Sequence, residues 1–244
     1  MPIRAVVFDA VGTLIHVEPS AAAVYSEVGR RHGSGLGADE VRRRFGVAFH
    51  RQDDVDRANN WITNEEREER RWREIVAEVL DDVADMEKCF AELYGHFAKP
   101  ASWRVDADAA PVLDELSRRG LILAMASNFD SRLNAIVAGL PELVRLRHLI
   151  ISSEVGHRKP GGPFFDAAKC RLGVESREIL FIGDDLINDY HGATAAGFHA
   201  ALLDLKHREY DVRRIGRLNE LLRGDAQTSN PLAPHAPGIP GDSG

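Results

Sequence analysis

The sequence predicts an α/β fold, a doubly wound parallel sheet with an inserted all-helical domain. Three observations carry this expectation. In the second half of the chain, short apolar runs alternate with helical patterns, the order that a parallel sheet requires. Several of these runs stop at a polar residue, as at Phe8-Asp9 and Ala126-Ser127. Between about residues 16 and 100 no strand pattern of any strength appears.

The elements follow in chain order. Ile3 to Phe8 is apolar and β-branched and reads as a buried parallel strand. Asp9 then lies at a strand carboxyl end, where open α/β sheets bind their ligands, and Gly12 permits a tight turn just after it. Ser20, followed by alanines, Val24, Tyr25 and Val28, predicts an N-capped helix closing near Gly33. The connector Gly33 to Gly37 follows a helix and lacks a Lys-Ser/Thr ending, so it is not a phosphate loop. Asp39 opens a second helical run through Val41, Phe45 and Phe49. From Thr63 to Asp82 the pattern is a long helix, with Trp72, Ile75, Val76, Val79, Leu80 and Val83 on one face. Its other face, Glu65 to Arg73, carries pairs such as Glu66–Arg70 and Glu69–Arg73. That charge run reads as solvated surface, with a substrate-binding arginine as the lesser alternative. Met86 to Phe97 is helical too.

After Lys99-Pro100 the alternation resumes. Asp106 to Arg119 is a helix with Asp106 as candidate cap, Pro111 in its early turns and Gly120 as its stop. Leu121 to Ala126 is a strand ending at Ser127-Asn128. Ser131 to Leu140 is helical, and His148 to Ser153 is the next strand. The loop Gly156 to Gly162 precedes a helix from Pro163 to Leu172. Ile179 to Ile182 is a strand ending in Gly183-Asp184-Asp185. A helix rich in small residues runs to Gly197, followed by a strand from His199 to Asp204 and an amphipathic helix from Ile215 to Leu222. Beyond about Gly224 the chain is rich in Pro, Gly and Ser, which predicts a disordered tail. The expected division is therefore 1–15 with 101–223 for the α/β core, 16–100 for the helical insert and 224–244 for the tail.

Composition narrows the function classes. The apolar share, 44%, is ordinary for a packed globular chain. No run of about 20 apolar residues exists to span a membrane, and the N-terminus has no signal-peptide pattern. A net charge of -7 speaks against a nucleic-acid partner. Cys89 and Cys170, both in helical patterns, are expected to be reduced thiols of a cytoplasmic protein. The ten histidines show no metal-binding spacing. A small-molecule substrate fits these bounds, with monomer and homodimer both open.

The strand ends carry the chemistry. Asp9-Ala10-Val11-Gly12-Thr13-Leu14 resembles motif I of the haloacid dehalogenase-like (HAD) hydrolases, whose aspartate attacks phosphorus or carbon. Ser127 resembles motif II, Lys159 in Arg-Lys-Pro motif III, and Gly183-Asp184-(x4)-Asp189 motif IV. Only five of the 31 basic residues are lysines, so a lysine at this position points to a role that arginine does not fill. The helical insert resembles the C1 cap of subfamily I. Ser127-Asn128-Phe129-Asp130-Ser131-Arg132-Leu133 resembles the group related to the rhythmically-expressed-gene-2 protein. The resemblance covers nearly all of residues 1–223.

That resemblance implies roles. Asp9 is the expected nucleophile, forming an aspartyl-phosphate. Ser127, Asn128, Lys159 and Gly12 are expected to hold the phosphoryl group. Asp9, the Val11 carbonyl and Asp184 are implied direct ligands of Mg²⁺, with Asp189 acting through water or Lys159. Each like-charge carboxylate pair at about 4 Å costs roughly 4 kcal/mol at an effective dielectric of 20, and a hard cation relieves it. Asp185 reads as ambiguous between the site and a helix cap; Asp130 reads as a helix cap.

One position departs from the commonest pattern of the family. Val11 stands where many such phosphatases carry a second aspartate, whose general acid–base help is worth about 10²–10⁴-fold. His16, Glu18, His50 and Asp53 are candidates to replace it from the cap. The leading expectation is a Mg²⁺-dependent phosphohydrolase that favours acyl or aryl phosphates, since an alkoxide leaves poorly without a proton. A 2-haloacid dehalogenase is the alternative, because halide needs no proton. A binding or regulatory protein that has lost turnover is the third reading. A phosphonatase ranks low, since only Lys88 and Lys99 could supply a Schiff base from the cap.

Overall fold

A computed structural model describes residues 2–204 and 211–222, so the expected tail lies outside the described residues. The chain enters through β1 (Ala5–Phe8), turns at Gly12 and forms β2 (Ile15–Val17). Four helices follow: α1 (Ala21–Arg31), α2 (Ala38–Ala58), α3 (Glu65–Val79) and α4 (Met86–His96). Side-chain caps fix three of their starts: Ser20 accepts from the Ala23 amide, Asn64 from Arg67 and Asp85 from Lys88. β3 (Trp103–Val105) then returns antiparallel to β2, with Val17 opposite Trp103. This two-stranded ribbon corrects the expectation of a strand-free stretch from residue 16. Three residues per strand are too few for a period to show.

The remaining elements are α5 (Ala109–Arg118), β4 (Ile122–Ser127), α6 (Arg132–Ala138), β5 (His148–Ile151), the single turn α7 (Ser152–Val155), α8 (Gly162–Leu172), β6 (Ile179–Gly183), α9 (Gly192–Ala195), β7 (His199–Leu203) and β8 (Arg214–Ile215). The main sheet has the order β5-β4-β1-β6-β7-β8, and every neighbouring pair is parallel. Its two faces alternate along β1. Val6 and Phe8 pack with Leu113 of α5 and Leu133 of α6, whereas Ala5 and Val7 pack with Phe165 of α8 and Ala193 of α9. The helices α1–α4 bury a cluster of their own around Tyr25, Val41, Ile75 and Leu93.

Three predicted elements differ in extent. β5 stops at Ile151 because Ser152 turns its hydroxyl onto the backbone of Phe129, accepting from N–H at 3.1 Å and donating to C=O at 3.0 Å. After β6 the chain forms a π-helical turn, Leu186–His191, rather than a plain helix; the Asp185 carbonyl accepts from both Asp189 and Tyr190 amides. The predicted last helix is a strand and a 3₁₀ turn: Ile215 pairs beside Leu203, and only Leu218–Leu222 winds. Cys89 is buried and Cys170 exposed, and neither is in a disulfide. Among the described residues no helix is long and apolar enough to cross a membrane.

Candidate active site

Sheet register assembles the site. Phe8 lies beside Met125 of β4 and Ile182 of β6, so Asp9, Ser127 and Asp184 emerge on one edge of three adjacent strands. The chain builds outward through β4 and β5, then returns to β6 on the other flank of β1. This is the topological switch point at which open α/β sheets hold ligands. The Asp9 amide donates to the Ile182 carbonyl at 2.8 Å, which fixes the aspartate as its strand ends.

Lys159 reaches this edge from the loop after α7. Its ammonium donates to Asp9 Oδ1 at 2.6 Å, Asp189 Oδ1 at 2.7 Å and the Ala126 carbonyl at 3.0 Å, which uses all three of its protons. Burial works against this charge, but Asp189 and Asp9 outweigh it and hold the ammonium above its ordinary range. Asp9, Asp184 and Asp189 each offer an oxygen within 4.8 Å of the others. Burial pushes Asp9 up to about 6, with the charge of Asp184 adding to it. Burial and Asp189 push Asp184 up to about 6, and burial with Asp9 pushes Asp189 up to about 7. Three crowded carboxylates that resist ionisation suit a hard divalent cation, and an all-oxygen donor set suits Mg²⁺.

Two glycines make the crowding possible. A Cβ on Gly12, whose φ is +96°, would lie 2.4 Å from Asp184 Oδ2. A Cβ on Gly183 would lie 2.1 Å from Asp189 Oδ2. Thr13 adds a 3.4 Å hydrogen bond to Asp184.

Other expected site residues take defined places. Ser127 is buried at the end of β4 and lines the same cavity as Asp9. Asn128 has its side-chain amide engaged: it accepts from the Lys159 amide at 2.7 Å and donates to the Lys159 carbonyl at 3.0 Å. It therefore fixes the lysine loop, leaving its own backbone N–H as its route to a ligand. Val11 stands in the cavity wall with 38% of its surface exposed. Asp185 accepts from the Ile187 and Asn188 amides and so caps the π-helical turn. Asp130 is fully buried against Arg132 and caps its amide.

The proposed substitutes for the missing acid are not positioned for that task. His16 pairs with Asp106, Glu18 with Arg104, and His50 is exposed; none of the three lines the cavity. Asp53 does line it, but accepts from Arg71 at 2.7 Å.

Above the strand ends lies a cavity of about 350 Å³, walled by both the sheet edge and the helices. Its aromatic wall is continuous. From Phe129, ring contacts pass to Trp103 (5.9 Å), Phe97 (6.4 Å) and Tyr25 (6.1 Å). They continue through Phe45 (5.2 Å) and Phe49 (6.0 Å) to Trp72 (6.3 Å). Sequence periodicity shows these rings as helix core faces but cannot show that they face a void.

The charge run of α3 is the larger correction. Glu66–Arg70 and Glu69–Arg73 are partly or fully solvated pairs, as expected. Arg67, Glu68 and Arg71 are instead buried, in a cluster with Asp53, Asp56 and Arg158. Arg71 donates to Asp56 at 2.5 Å, and Arg158 donates to Glu68. Burial opposes the Glu68 charge, yet Arg158 holds its carboxyl below the ordinary range. The pointer available in the sequence is the i,i+3 pair Asp53 and Asp56 on α2, which matches the i,i+4 pair Arg67 and Arg71. Nearby, the Arg158 amide donates to the Trp61 carbonyl at 2.8 Å and the Thr63 amide to Gly156 at 3.0 Å. Glu65 accepts from the Ser131 amide at 3.0 Å. The helical segment is thus seated on the loop that carries Lys159.

Comparison with known proteins identifies the family of the chain. A family model described as haloacid dehalogenase-like hydrolase matches residues 3–197. The chain is 28% identical over 208 residues to haloacid dehalogenase-like hydrolase domain-containing protein 3 of Mus musculus, covering 83% of this chain and 82% of that protein. The rhythmically expressed gene 2 protein of Drosophila melanogaster is 24% identical over 230 residues, 87% of each chain. A phosphoserine phosphatase of Thermus thermophilus is 35% identical over 127 residues, 49% of this chain and 50% of that protein. Among solved structures, a HAD phosphatase from Thermococcus onnurineus superposes with TM-score 0.65 at 26% identity, covering 90% of this chain and 96% of that one. L-2-haloacid dehalogenase from Xanthobacter autotrophicus, with chloropropionic acid covalently bound, shares the fold at TM-score 0.69 and 20% identity, over 92% of this chain and 100% of that one. With the family match running from the first strand through the last of the site carboxylates, this chain belongs to the haloacid dehalogenase-like hydrolases.

Proposed function

We propose that this hydrolase is a Mg²⁺-dependent phosphohydrolase that works through an aspartyl-phosphate on Asp9. The observation that carries the reading is the Lys159 ammonium, held between Asp9 and Asp189 with Asp184 beside them. A carboxylate nucleophile must approach an already anionic phosphoryl group, and this arrangement offsets that charge. Asp9, Asp184 and the Val11 carbonyl, with Asp189 in support, would hold a Mg²⁺, which would supply further positive charge against the phosphoryl group.

The chain's own residues supply the rest. Asp9 attacks phosphorus and the ester oxygen departs; water then attacks the acyl phosphate and frees the carboxylate. The Ser127 hydroxyl and the Asn128 amide hold one phosphoryl oxygen. Gly12 lets the backbone pass close to the site. The helical segment, residues 16–100, serves as a cap that excludes water from the cavity it shares with the sheet edge. The phosphatase names among the relatives and solved structures support this reading. Val11 is the feature that favours a dehalogenase, since halide leaves without a proton, while the three clustered carboxylates favour the phosphohydrolase.

Phosphate release from acetyl phosphate and p-nitrophenyl phosphate, with Mg²⁺ and with EDTA, tests the proposal. Release that needs Mg²⁺ and disappears in Asp9→Asn supports it. Metal-independent halide release from 2-chloropropionate with no phosphate release overturns it in favour of the dehalogenase. Tight phosphate binding without turnover of any substrate assigns the chain to a binding role.

A further inference from the structure

Three features of the cavity describe the group that would occupy it. The first is its wall. The chain of rings from Phe129 to Trp72 leaves the space beyond Asp9 bounded largely by aromatic faces and edges. At about 350 Å³ it stands at the small end of the range for ligand sites, enough for one or two fused rings beside the phosphate. Flat rings bury much area and pack edge-to-face against such a wall.

The second is charge. Four cations line the cavity, and each is matched inside the protein. Lys159 has Asp9 and Asp189, Arg158 has Glu68 and Asp56, Arg71 has Asp53 and Asp56, and Arg132 has Asp130. Among the described residues lining the cavity, no Lys or Arg stands without a carboxylate. A substrate bearing a second anion, such as a carboxylate, would have to break a buried pair and strand its partner, which is strongly unfavourable.

The third is Val11. It faces the same cavity and has no proton to give, and the four acids considered in its place are elsewhere or engaged. Without a proton from this position the ester oxygen departs as an anion. A phenolate, whose conjugate acid has a pKa of about 10, does so far more readily than an alkoxide.

Resting on the phosphohydrolase reading, we propose that the substrate is the phosphate monoester of an uncharged phenol, an aryl phosphate whose ring lies within the aromatic wall. In the first step Asp9 Oδ bonds to phosphorus as the phosphorus–aryl-oxygen bond breaks, and the electron pair leaves on the phenolate, with no proton transferred. In the second, water bonds to phosphorus, the Asp9–phosphorus bond breaks, and both water protons leave on inorganic phosphate.

The test compares kcat/KM of the full chain with Mg²⁺ on 2-naphthyl phosphate, benzyl phosphate, O-phosphoserine and acetyl phosphate. The naphthyl ester is expected to exceed the benzyl ester at least about 100-fold, the scale of a missing general acid, and to exceed phosphoserine by more. Trp72→Leu is expected to lower the naphthyl-to-acetyl ratio about tenfold, since only the naphthyl ester carries a ring to pack on the aromatic wall. A measurement on the unaltered chain stands beside the variant. There, kcat/KM for 2-naphthyl phosphate should exceed that for 6-carboxy-2-naphthyl phosphate, the same ester with a second anion, at least about tenfold. Acetyl phosphate turnover that is lost in Asp9→Asn, together with a naphthyl ester no better than benzyl phosphate or phosphoserine, overturns the aryl assignment and leaves the phosphohydrolase standing. A carboxynaphthyl ester turned over as well as the naphthyl ester overturns it too. Release of phosphate from none of the four removes the phosphohydrolase reading itself.

Discussion

Arg158 and Lys159 are consecutive residues with separate carboxylate partners. Arg158 pairs with Glu68 and Asp56 of the helical segment, whereas Lys159 pairs with Asp9 and Asp189 at the sheet edge. One peptide bond joins the two ionic clusters, and Asn128 holds the lysine's backbone on both sides.

Removing the arginine strands a buried acid. Arg158→Met leaves Glu68 without its ion-pair partner, while Asp56 keeps Arg67 and Arg71, and breaking one side of a buried pair costs about 3–5 kcal/mol. For a domain of this size that lowers Tm by very roughly 6–20 °C. Urea unfolding of the variant beside the parent measures it. A loss below about 1 kcal/mol would show that the cluster is a loosely solvated one.

Placing a carboxyl at position 11, two residues from Asp9, should act selectively. Val11→Asp is expected to raise turnover of benzyl phosphate about 10²–10⁴-fold and to change that of aryl phosphates far less. Val11 is 38% exposed to the cavity, so the new side chain enters open space rather than packed core. Equal effects on both ester classes would mean that the leaving group is protonated by another residue.

The crowded carboxylates set a pH dependence with a definite sign. Asp9, Asp184 and Asp189 are pushed up to about 6, 6 and 7, against about 3.9 in an unfolded chain. Their contribution to stability is complete below about pH 4 and is lost as pH rises through 6 and 7. EDTA-treated protein is therefore expected to lose more Tm between pH 5 and 7.5 than Asp189→Asn does. Mg²⁺ should reduce that loss, because it stabilises the ionised carboxylates and competes with protons for them. Parallel Tm curves for parent and variant would remove the carboxylates as the cause.

Gly12→Ala carries two costs. A left-handed backbone at φ +96° disfavours any Cβ by about 1–2 kcal/mol. The new Cβ also meets Asp184 at 2.4 Å, so the carboxylate must move. Loss of Mg²⁺ affinity in a calorimetric titration should therefore accompany the loss of stability. Unchanged affinity would place Asp184 outside the cation's ligands.

The strand-end residues were legible because each follows an apolar run and sits beside a turn, a pattern that one sequence can display. Parallel register then makes their convergence automatic. Arg67, Glu68 and Arg71 were hard to read, since Glu65 to Arg73 is charged at every position but Trp72 and so barely marks which side of that half of the helix is covered. Their partners come from α2 and from the loop after α7, and only the tertiary fold brings those together. Tyr25, Phe45 and Phe49 were read correctly as apolar faces, yet periodicity cannot distinguish a ring that meets another side chain from one that borders a hollow. The three-residue strands β2 and β3 fall below any period, and the last predicted helix gave way where Ile215 found a place on the sheet edge.

The β2–β3 ribbon has a further consequence. Because Val17 lies directly opposite Trp103, the chain leaves the ribbon and returns to it at adjacent points, some 5 Å apart as paired strands are. Everything between those two residues hangs from a single stem. A two-residue turn could span the gap, so the intervening stretch can be exchanged for another of different size without re-threading a strand. The carboxylates of the sheet edge and the helical roof over them are in this sense separately exchangeable parts of one chain.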